Sequence, residues 1–228
     1  MGSVPREICN HLGVVRVLAL SDEESTLAYS GVFQYLEPDL IVAAGDLSFE
    51  YLEYVVTMVA KPLLWVPGNH DPDLREPDGG GIDSRLRPDR LGPRGCINID
   101  GRVVDIGGVR IGGLGGSHRY RPGPHQYTQQ QMETRAKLLS LRARIKRRGR
   151  RTRRLDILVT HAPPLGLGDE DDPCHQGFAA YQRLIERTLP ALHVHGHIHP
   201  HEGARPDRFL NGTRIVNVIP YKLLELER

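Results

Sequence analysis

Side chains able to bind metal ions are spread over five short polar segments: SDEES, GDL, GNHD, VTHAPP and HGHIH. The candidate ligands are Asp22, Glu24, Asp46, Asn69, His161, His197 and His199. Carboxylate and amide oxygens are hard ligands and imidazole is borderline, so this mixture suits two divalent ions that share one bridging carboxylate. No single segment could hold either ion, so the fold must bring the segments together.

Each polar segment follows a short apolar run that predicts a buried strand. The predicted strands span residues 14–20, 39–44, 63–66, 156–159 and 192–194. Phe49 to Ala60 predicts a helix between the second and third strands, which is the crossover that parallel strands require. Carboxyl ends of parallel strands meet at one edge of a sheet, where open α/β folds place their sites. We therefore expect the candidate ligands to converge at that edge.

The middle of the chain predicts a loop, a group of strands and a helix. Pro72 to Gly95 is rich in Pro, Gly, Asp and Arg, which is typical of a surface loop and could cover the site. Short runs at 97–99, 103–106 and 109–113, separated by Asp-Gly and Gly-Gly pairs, predict an antiparallel meander. Thr128 with Gln131 forms a capping box that predicts a helix to about residue 146. A further amphipathic helix is predicted over 178–189.

Composition indicates one α/β domain spanning residues 1–228. The chain is 39% hydrophobic, with 25 glycines and 17 prolines, more than a helical bundle carries. Its cysteines, Cys9, Cys96 and Cys174, include no CxxC pair, so neither a disulfide framework nor a zinc knuckle is predicted. No apolar run approaches the roughly 18 residues that span a bilayer, and no signal peptide is recognisable. We expect a cytoplasmic protein without a membrane partner, and its oligomeric state stays open.

The positive charge of the chain is concentrated in one segment. The formal net charge is only +2, yet nine cationic side chains lie between Arg142 and Arg154. Such a run could bind the phosphates of a nucleic acid. The alternative is a solvated helix end and loop.

The order GDL, GNHD, a strand-terminal TH and GHIH resembles the calcineurin-like metallophosphoesterase superfamily, from about Val14 to Asn217. VTHAPPLGLGD followed by HVHGHIH is similar to its compact class III cyclic-nucleotide phosphodiesterase and MPPED-type branch, which lacks large cap domains. The resemblance implies a four-layer αββα sandwich of two mixed sheets flanked by helices. It also implies metal-dependent hydrolysis of phosphate esters.

The resemblance further implies a role for each candidate ligand. Asp46 would bridge the ions. The first ion would add Asp22 and His199, and the second would add Asn69, His161 and His197. His70 would lie beside the leaving group, oriented by Asp71.

The first motif departs from the family pattern. The family has Asp-x-His, whereas this chain reads Asp22-Glu23-Glu24. Glu24 could ligate through a carboxylate oxygen, which would favour Mn²⁺ or another oxygen-preferring ion over Zn²⁺ at this site. For the two ions together we expect Mn, with Fe, Zn, Ni and Mg also open. Alternatively, Glu24 points away and the first site is weak or empty.

Other residues near the motifs have two readings each. His118 or Arg119 could contact substrate, or the segment could be a tight turn with a solvated histidine. Cys174 and His175 could line the pocket, although a buried cysteine with a capping histidine is the commoner outcome. Three more histidines lie near the last motif: His193, His195 and His201. We interpret them as structural or supporting residues, with His195 as the likeliest exception.

Three functions are compatible with these features. The first is a phosphodiesterase that acts on a nucleotide or nucleic acid by attack of a metal-activated water. The second is a phosphomonoesterase with the same chemistry. The third is a nucleic-acid-binding scaffold that has lost its first metal through the change at Glu24.

Overall fold

The computed structural model describes residues 13–73, 92–145, 155–200 and 205–227. One sheet has five strands: β1 (Val14–Leu20), β2 (Leu40–Ala43), β3 (Leu63–Trp65), β4 (Cys96–Asn98) and β13 (Tyr221–Glu227). Their order is β13-β1-β2-β3-β4. The pairs from β1 to β4 are parallel, and only β13 runs antiparallel to its neighbour.

The second large sheet has six strands: β5 (Val103–Ile106), β6 (Val109–Leu114), β9 (Ile157–Thr160), β10 (Leu192–His195), β11 (Arg208–Leu210) and β12 (Thr213–Asn217). Their order is β11-β12-β10-β9-β6-β5, with antiparallel pairs only at the two edges. A small parallel pair joins β7 (Ser117–His118) to β8 (Gln126–Tyr127). Both large sheets are therefore mixed.

The described α-helices are α1 (Val32–Tyr35), α2 (Phe49–Val59), α3 (Gln129–Ile145) and α4 (Ala179–Thr188), with a 3₁₀ turn at Thr26–Ala28. The predicted capping box begins α3: Thr128 Oγ1 accepts from Gln131 N at 3.2 Å, and Gln131 Oε1 accepts from Thr128 N at 2.9 Å. None of the described helices is long and apolar enough to cross a membrane.

The two sheets pack face to face with helices on their outer faces. Val17 and Val42 of the first sheet share one buried cluster with Val159 and Val194 of the second. A second cluster packs α3 and α4 on the other face of the second sheet, and a third packs α1 and α2 on the first. The alternation of side chains along each strand explains how one sheet fills two cores. The expected four-layer αββα sandwich is confirmed.

The predicted meander is wrong in one strand. β5 and β6 form the expected hairpin, but β4 pairs in parallel with β3 in the other sheet, with Leu64 opposite Ile97. The Asp100-Gly101 turn therefore carries the chain from one sheet to the other. Gly101 N donates to Gly113 O at 2.9 Å, which ties this crossing to the end of β6. Most of the predicted loop after Pro72, and residues 146–154 of the basic run, lie outside the described residues.

Candidate metal centre

A cleft of about 210 Å³ opens at the carboxyl ends of the parallel strands. Its lining comes from loops that follow strands in both sheets: Asp22, Asp46, Asn69, His70, Tyr120, Cys174, His175, His197 and His199. His161 lies buried directly behind this lining, 3.0 Å from Asn69. Six of the seven candidate ligands thus converge on one edge, as the strand pattern predicts.

Both ring nitrogens of His161 lie close to oxygen atoms. Its Nδ1 lies 2.8 Å from Ala44 O, and because a carbonyl only accepts, Nδ1 carries the hydrogen. Its Nε2 lies 3.0 Å from Asn69 Oδ1 and 3.3 Å from Asp46 Oδ2. This arrangement leaves Nε2 and two oxygen atoms directed at one point.

Electrostatics show that this point attracts a cation. Burial disfavours the charged ring, but the adjacent Asp46 carboxylate outweighs burial and raises the pKa of His161 to about 10. Burial also opposes the charge on Asp46, yet His161 and the N–H of His70 lower the pKa of Asp46 to about 2. The proton on His161 Nε2 lies next to Asp46 Oδ2 and Asn69 Oδ1. A divalent ion could replace this proton and bind the same three atoms.

The His197 ring is held through Nε2, whereas the His161 ring is held through Nδ1. Its Nε2 lies 2.8 Å from Cys174 O, so Nε2 carries the hydrogen and Nδ1 keeps its lone pair. Burial, followed by the neighbouring His161, lowers the pKa of His197 to about 3. The ring is therefore neutral at ordinary pH, which is the form that binds metal. A backbone carbonyl thus accepts from one nitrogen of each buried imidazole, and it would fix the tautomer of His161 once a metal ion replaces the proton on Nε2.

Asp22 and His199 form the other side of the cleft. Asp22 Oδ2 accepts from Ser21 Oγ at 2.6 Å and from His197 N at 2.9 Å. Asp22 Oδ1 lies 3.7 Å from His199 Nε2. His199 Nδ1 lies 3.0 Å from Glu23 Oε1. Burial raises the pKa of Asp22, so a cation beside it would favour its ionised form.

The loops that carry the ligands are strained and closely packed. Asp22, Asp46 and His197 all have left-handed backbones, with φ of 59°, 56° and 66°. Such conformations cost about 1–3 kcal/mol each and persist where surrounding structure imposes them. A Cβ at Gly196 would lie 2.0 Å from Ser21 Oγ, and one at Gly68 would lie 1.9 Å from Asp46 Oδ1. Glycine is thus required where the loops meet the carboxylates.

His70 and Asp71 both lie at the third polar segment. The His70 N–H donates to Asp46 Oδ1 at 2.8 Å, and the residue lines the cleft. Asp71 Oδ2 accepts from Gly68 N at 2.7 Å and from Asp46 N at 3.2 Å. Asp71 therefore connects the loop that carries Asp46 to the loop that carries Asn69. Orientation of the His70 ring by Asp71 stays a prediction.

Glu24 is placed apart from the other candidate ligands. Its carboxylate accepts from the Ser48 hydroxyl and, at 3.4 Å, from Tyr29 OH. Ser48 is the N-cap of α2, and Glu24 is not part of the lining of the cleft. Its neighbour Glu23, rather than Glu24, contacts His199, through Nδ1 of the ring.

The candidate substrate residues do not line the cleft itself. His118 Nδ1 lies 3.4 Å from Pro173 O, beside the rim of the cleft. Arg119 Nη2 donates to Gln126 O and Gln131 Oε1, both at 3.2 Å, and lines a neighbouring pocket of about 550 Å³. Tyr120, the next residue along the chain, does line the cleft.

Two further histidines lie buried in β10 behind the site. Thr160 Oγ1 donates to Ala162 O at 2.7 Å, so it accepts from His193 Nε2 at 2.8 Å. His193 Nδ1 is buried without a partner among the described residues, and burial lowers the pKa of His193 well below its usual value. Burial likewise lowers the pKa of His195 to about 4. Both rings are neutral, and His201 lies outside the described residues.

The residues present fit divalent metal ions. Ligand atoms of Asp46, His161 and His197 lie within 4.8 Å of one another. Asn69 Oδ1 faces the same point, while the buried Asn69 Nδ2 has no partner within the described ranges and can donate to an oxygen held in the cleft. Oxygen and imidazole donors in this mixture suit ions such as Mn²⁺, Fe²⁺ or Zn²⁺.

Several supporting contacts could not be found by motif. The carbonyls of Ala44 and Cys174 set the tautomers of His161 and His197, and backbone carbonyls leave no mark in a sequence. Ser21 and Glu23 each contact a candidate ligand. Their only signal is their position beside Asp22.

Comparisons with known proteins identify the family and the fold. The family model for calcineurin-like phosphoesterase matches residues 18–201. A stretch of 48 residues is 38% identical to the UPF0046 protein K07C11.7 of Caenorhabditis elegans; it covers 21% of this chain and only 17% of that protein. One solved structure superposes with a TM-score of 0.60 at 16% identity, covering 94% of this chain and 99% of its own. TT1561 of Thermus thermophilus superposes with a TM-score of 0.52 at 16% identity, covering 90% of this chain and 88% of its own.

These structural likenesses show the fold, and the family match extends over most of the chain. Its matched region contains all seven candidate ligands. The chain belongs to the calcineurin-like phosphoesterase family, whose members are metal-dependent hydrolases of phosphoric esters.

Proposed function

We infer that this protein is a phosphodiesterase that acts on a nucleotide or nucleic acid with two divalent metal ions. The observation that carries the proposal is the convergence of Asp46, Asn69, His161 and His197 on one point, beside Asp22 and His199. The proposed ligands are those six residues, with Asp46 between the ions. Glu24 joins the set only if its carboxylate leaves Ser48.

Divalent ions in such a cleft would supply an activated water and offset charge on the phosphoryl oxygens. The protein itself contributes orientation. Ala44 O and Cys174 O hold the two buried imidazoles in the tautomers that direct a lone pair into the cleft. Asn69 Nδ2 would donate to a phosphoryl or water oxygen.

His70 is the proposed general acid. Its backbone N–H is anchored on Asp46 Oδ1, and it is exposed at the mouth of the cleft. From there its ring would donate a proton to, or shield, the leaving oxygen. His118, which contacts Pro173 O, and Arg119, which lines a second pocket, are the proposed contacts to the rest of the substrate.

The charge of the lining supports a diester. The cleft is lined by carboxylates, an amide and imidazoles, so positive charge facing the phosphate would come chiefly from the ions. A phosphodiester carries one negative charge and a monoester carries close to two. The diester therefore needs less positive charge from the site. Oxygen donors from Asp22, Asp46 and Asn69 favour Mn²⁺ or another oxygen-preferring ion.

The test is a hydrolysis panel with Mn²⁺: bis-p-nitrophenyl phosphate, p-nitrophenyl phosphate and an oligonucleotide. We expect the diester to be preferred and its turnover to be lost in Asp46→Ala and reduced in His70→Ala. A strong preference for the monoester would instead identify a phosphomonoesterase. Removing the positive charges at Arg142 and Arg144 should leave diester turnover intact and weaken only oligonucleotide binding, if the basic run contributes to it.

A further inference from the structure

A second group of metal-binding side chains lies on the rim of the cleft, in the loop between β9 and α4. One ligand atom from each of Asp172, Cys174 and His175 lies within 4.8 Å of the other two. His175 Nδ1 is 2.8 Å from Asp172 Oδ2 and 3.7 Å from Glu170 Oε2. A thiol, an imidazole and a carboxylate therefore face one point, with a second carboxylate nearby.

The backbone of this loop is already closed around that point. Asp172 Oδ1 accepts from Cys174 N at 3.0 Å and from His175 N at 3.2 Å. Asp169 accepts from Gly166 N at 2.7 Å and from Gly177 N at 3.0 Å, which draws the two ends of the loop together. An ion bound here would meet ligands that are largely ordered in advance, which reduces the entropy cost of binding.

The donor set indicates which ion it would take. Thiolate and imidazole with one carboxylate is a combination typical of Zn²⁺, whereas Mn²⁺ and Mg²⁺ prefer oxygen. We propose that Asp172, Cys174 and His175 bind a single Zn²⁺ ion, separate from the metal centre of the cleft. Glu170 or water completes its tetrahedron.

This ion would be linked to the cleft through the backbone of Cys174. The Cys174 carbonyl accepts from His197 Nε2 at 2.8 Å, and the ring of His175 lies 5.5 Å from that of His197. Zinc on the Cys174 sulfur would hold that carbonyl in place and so maintain the tautomer of His197. The rim site would thus support a proposed ligand of the cleft.

Co²⁺ tests the proposal because thiolate ligation gives it a near-ultraviolet charge-transfer band. The titration is made on Asp46→Asn, which damages the cleft and leaves the rim loop unchanged, with Asn69→Ala as the substitute if the first variant does not fold. We expect the band to appear at one equivalent and to disappear when Zn²⁺ is added. It should be lost in Cys174→Ser and retained in Cys96→Ser, since Cys96 lies on β4 beneath α2.

Two results would overturn the separate site. One is the absence of any Cys174-dependent band in folded wild-type protein. The other is a band in the wild type that vanishes with both Asp46→Asn and Asn69→Ala, because the thiolate would then belong to the centre of the cleft. Neither readout involves hydrolysis, so failure of the phosphodiesterase proposal would leave this result intact, and the reverse also holds.

Discussion

Replacing Gly196 with alanine tests whether close approach of two loops builds the metal-binding edge. The new Cβ would lie 2.0 Å from Ser21 Oγ and 2.1 Å from Asp22 Oδ2, where ordinary contact begins at 3.4 Å. These atoms must therefore retreat by about 1.4 Å. A misplacement of about 1 Å can lower a rate about 100-fold. We expect at least that loss of diester turnover, together with weaker binding of one metal ion.

Steady-state hydrolysis and metal analysis of the purified variant measure both effects. Gly212→Ala is the matched control: Gly212 has φ of 79°, and a Cβ there meets nothing within 4 Å. That variant should lose about 1–2 kcal/mol of stability from the left-handed backbone while its turnover is unchanged. A folded Gly196→Ala protein with wild-type metal content and turnover would refute the reasoning.

Four further predictions concern single substitutions. Glu24→Ala should keep both ions and a turnover within about threefold of wild type, because Ser48 holds the Glu24 carboxylate; loss of one ion would place Glu24 in the coordination shell. If the family histidine strengthens the first site, Glu24→His should bind Zn²⁺ more tightly in competition titrations. His193 stays neutral in the folded protein, whereas the unfolded chain gains a proton on this residue below pH about 6.5. The free energy of unfolding therefore decreases as the pH is lowered below that value. Between pH 6.5 and 5.5, His193 alone contributes a loss of about 1 kcal/mol. His195 and His197 are also buried and neutral, so the loss measured by denaturation should be smaller in His193→Gln by that amount, and an unchanged pH slope would disprove the prediction. Leu139 is a fully buried residue of α3 that faces the second sheet. Leu139→Ala should lower the free energy of unfolding in urea by about 2–5 kcal/mol.

The elements that place the ligands were predictable because their signals are local. Buried apolar runs ending in polar residues identify β1, β2, β3, β9 and β10, and the periodicity of each run is set by its own residues. The capping box at Thr128 fixes the start of α3 in the same local way. Convergence of the ligands then follows from parallel strand order, without knowledge of any contact.

Features that depend on distant contacts were not predictable. The Asp100-Gly101 dipeptide has the same turn preference whether the next strand pairs beside β4 or enters the other sheet. The outcome depends on long-range strand pairing, in which β4 pairs with β3 and β5 pairs with β6. The contact of Glu24 with Ser48 is likewise set by where α2 begins relative to the first polar loop.

Metal stoichiometry tests the central proposal most directly. Protein freed of metal by chelation is titrated with Mn²⁺ while hydrolysis of bis-p-nitrophenyl phosphate is followed. Convergence of Asp22, Asp46, Asn69, His161, His197 and His199 predicts that turnover is absent without metal and reaches its plateau at two bound ions per chain. Full activity in chelator, or a plateau at a single bound ion, would contradict a dinuclear phosphodiesterase.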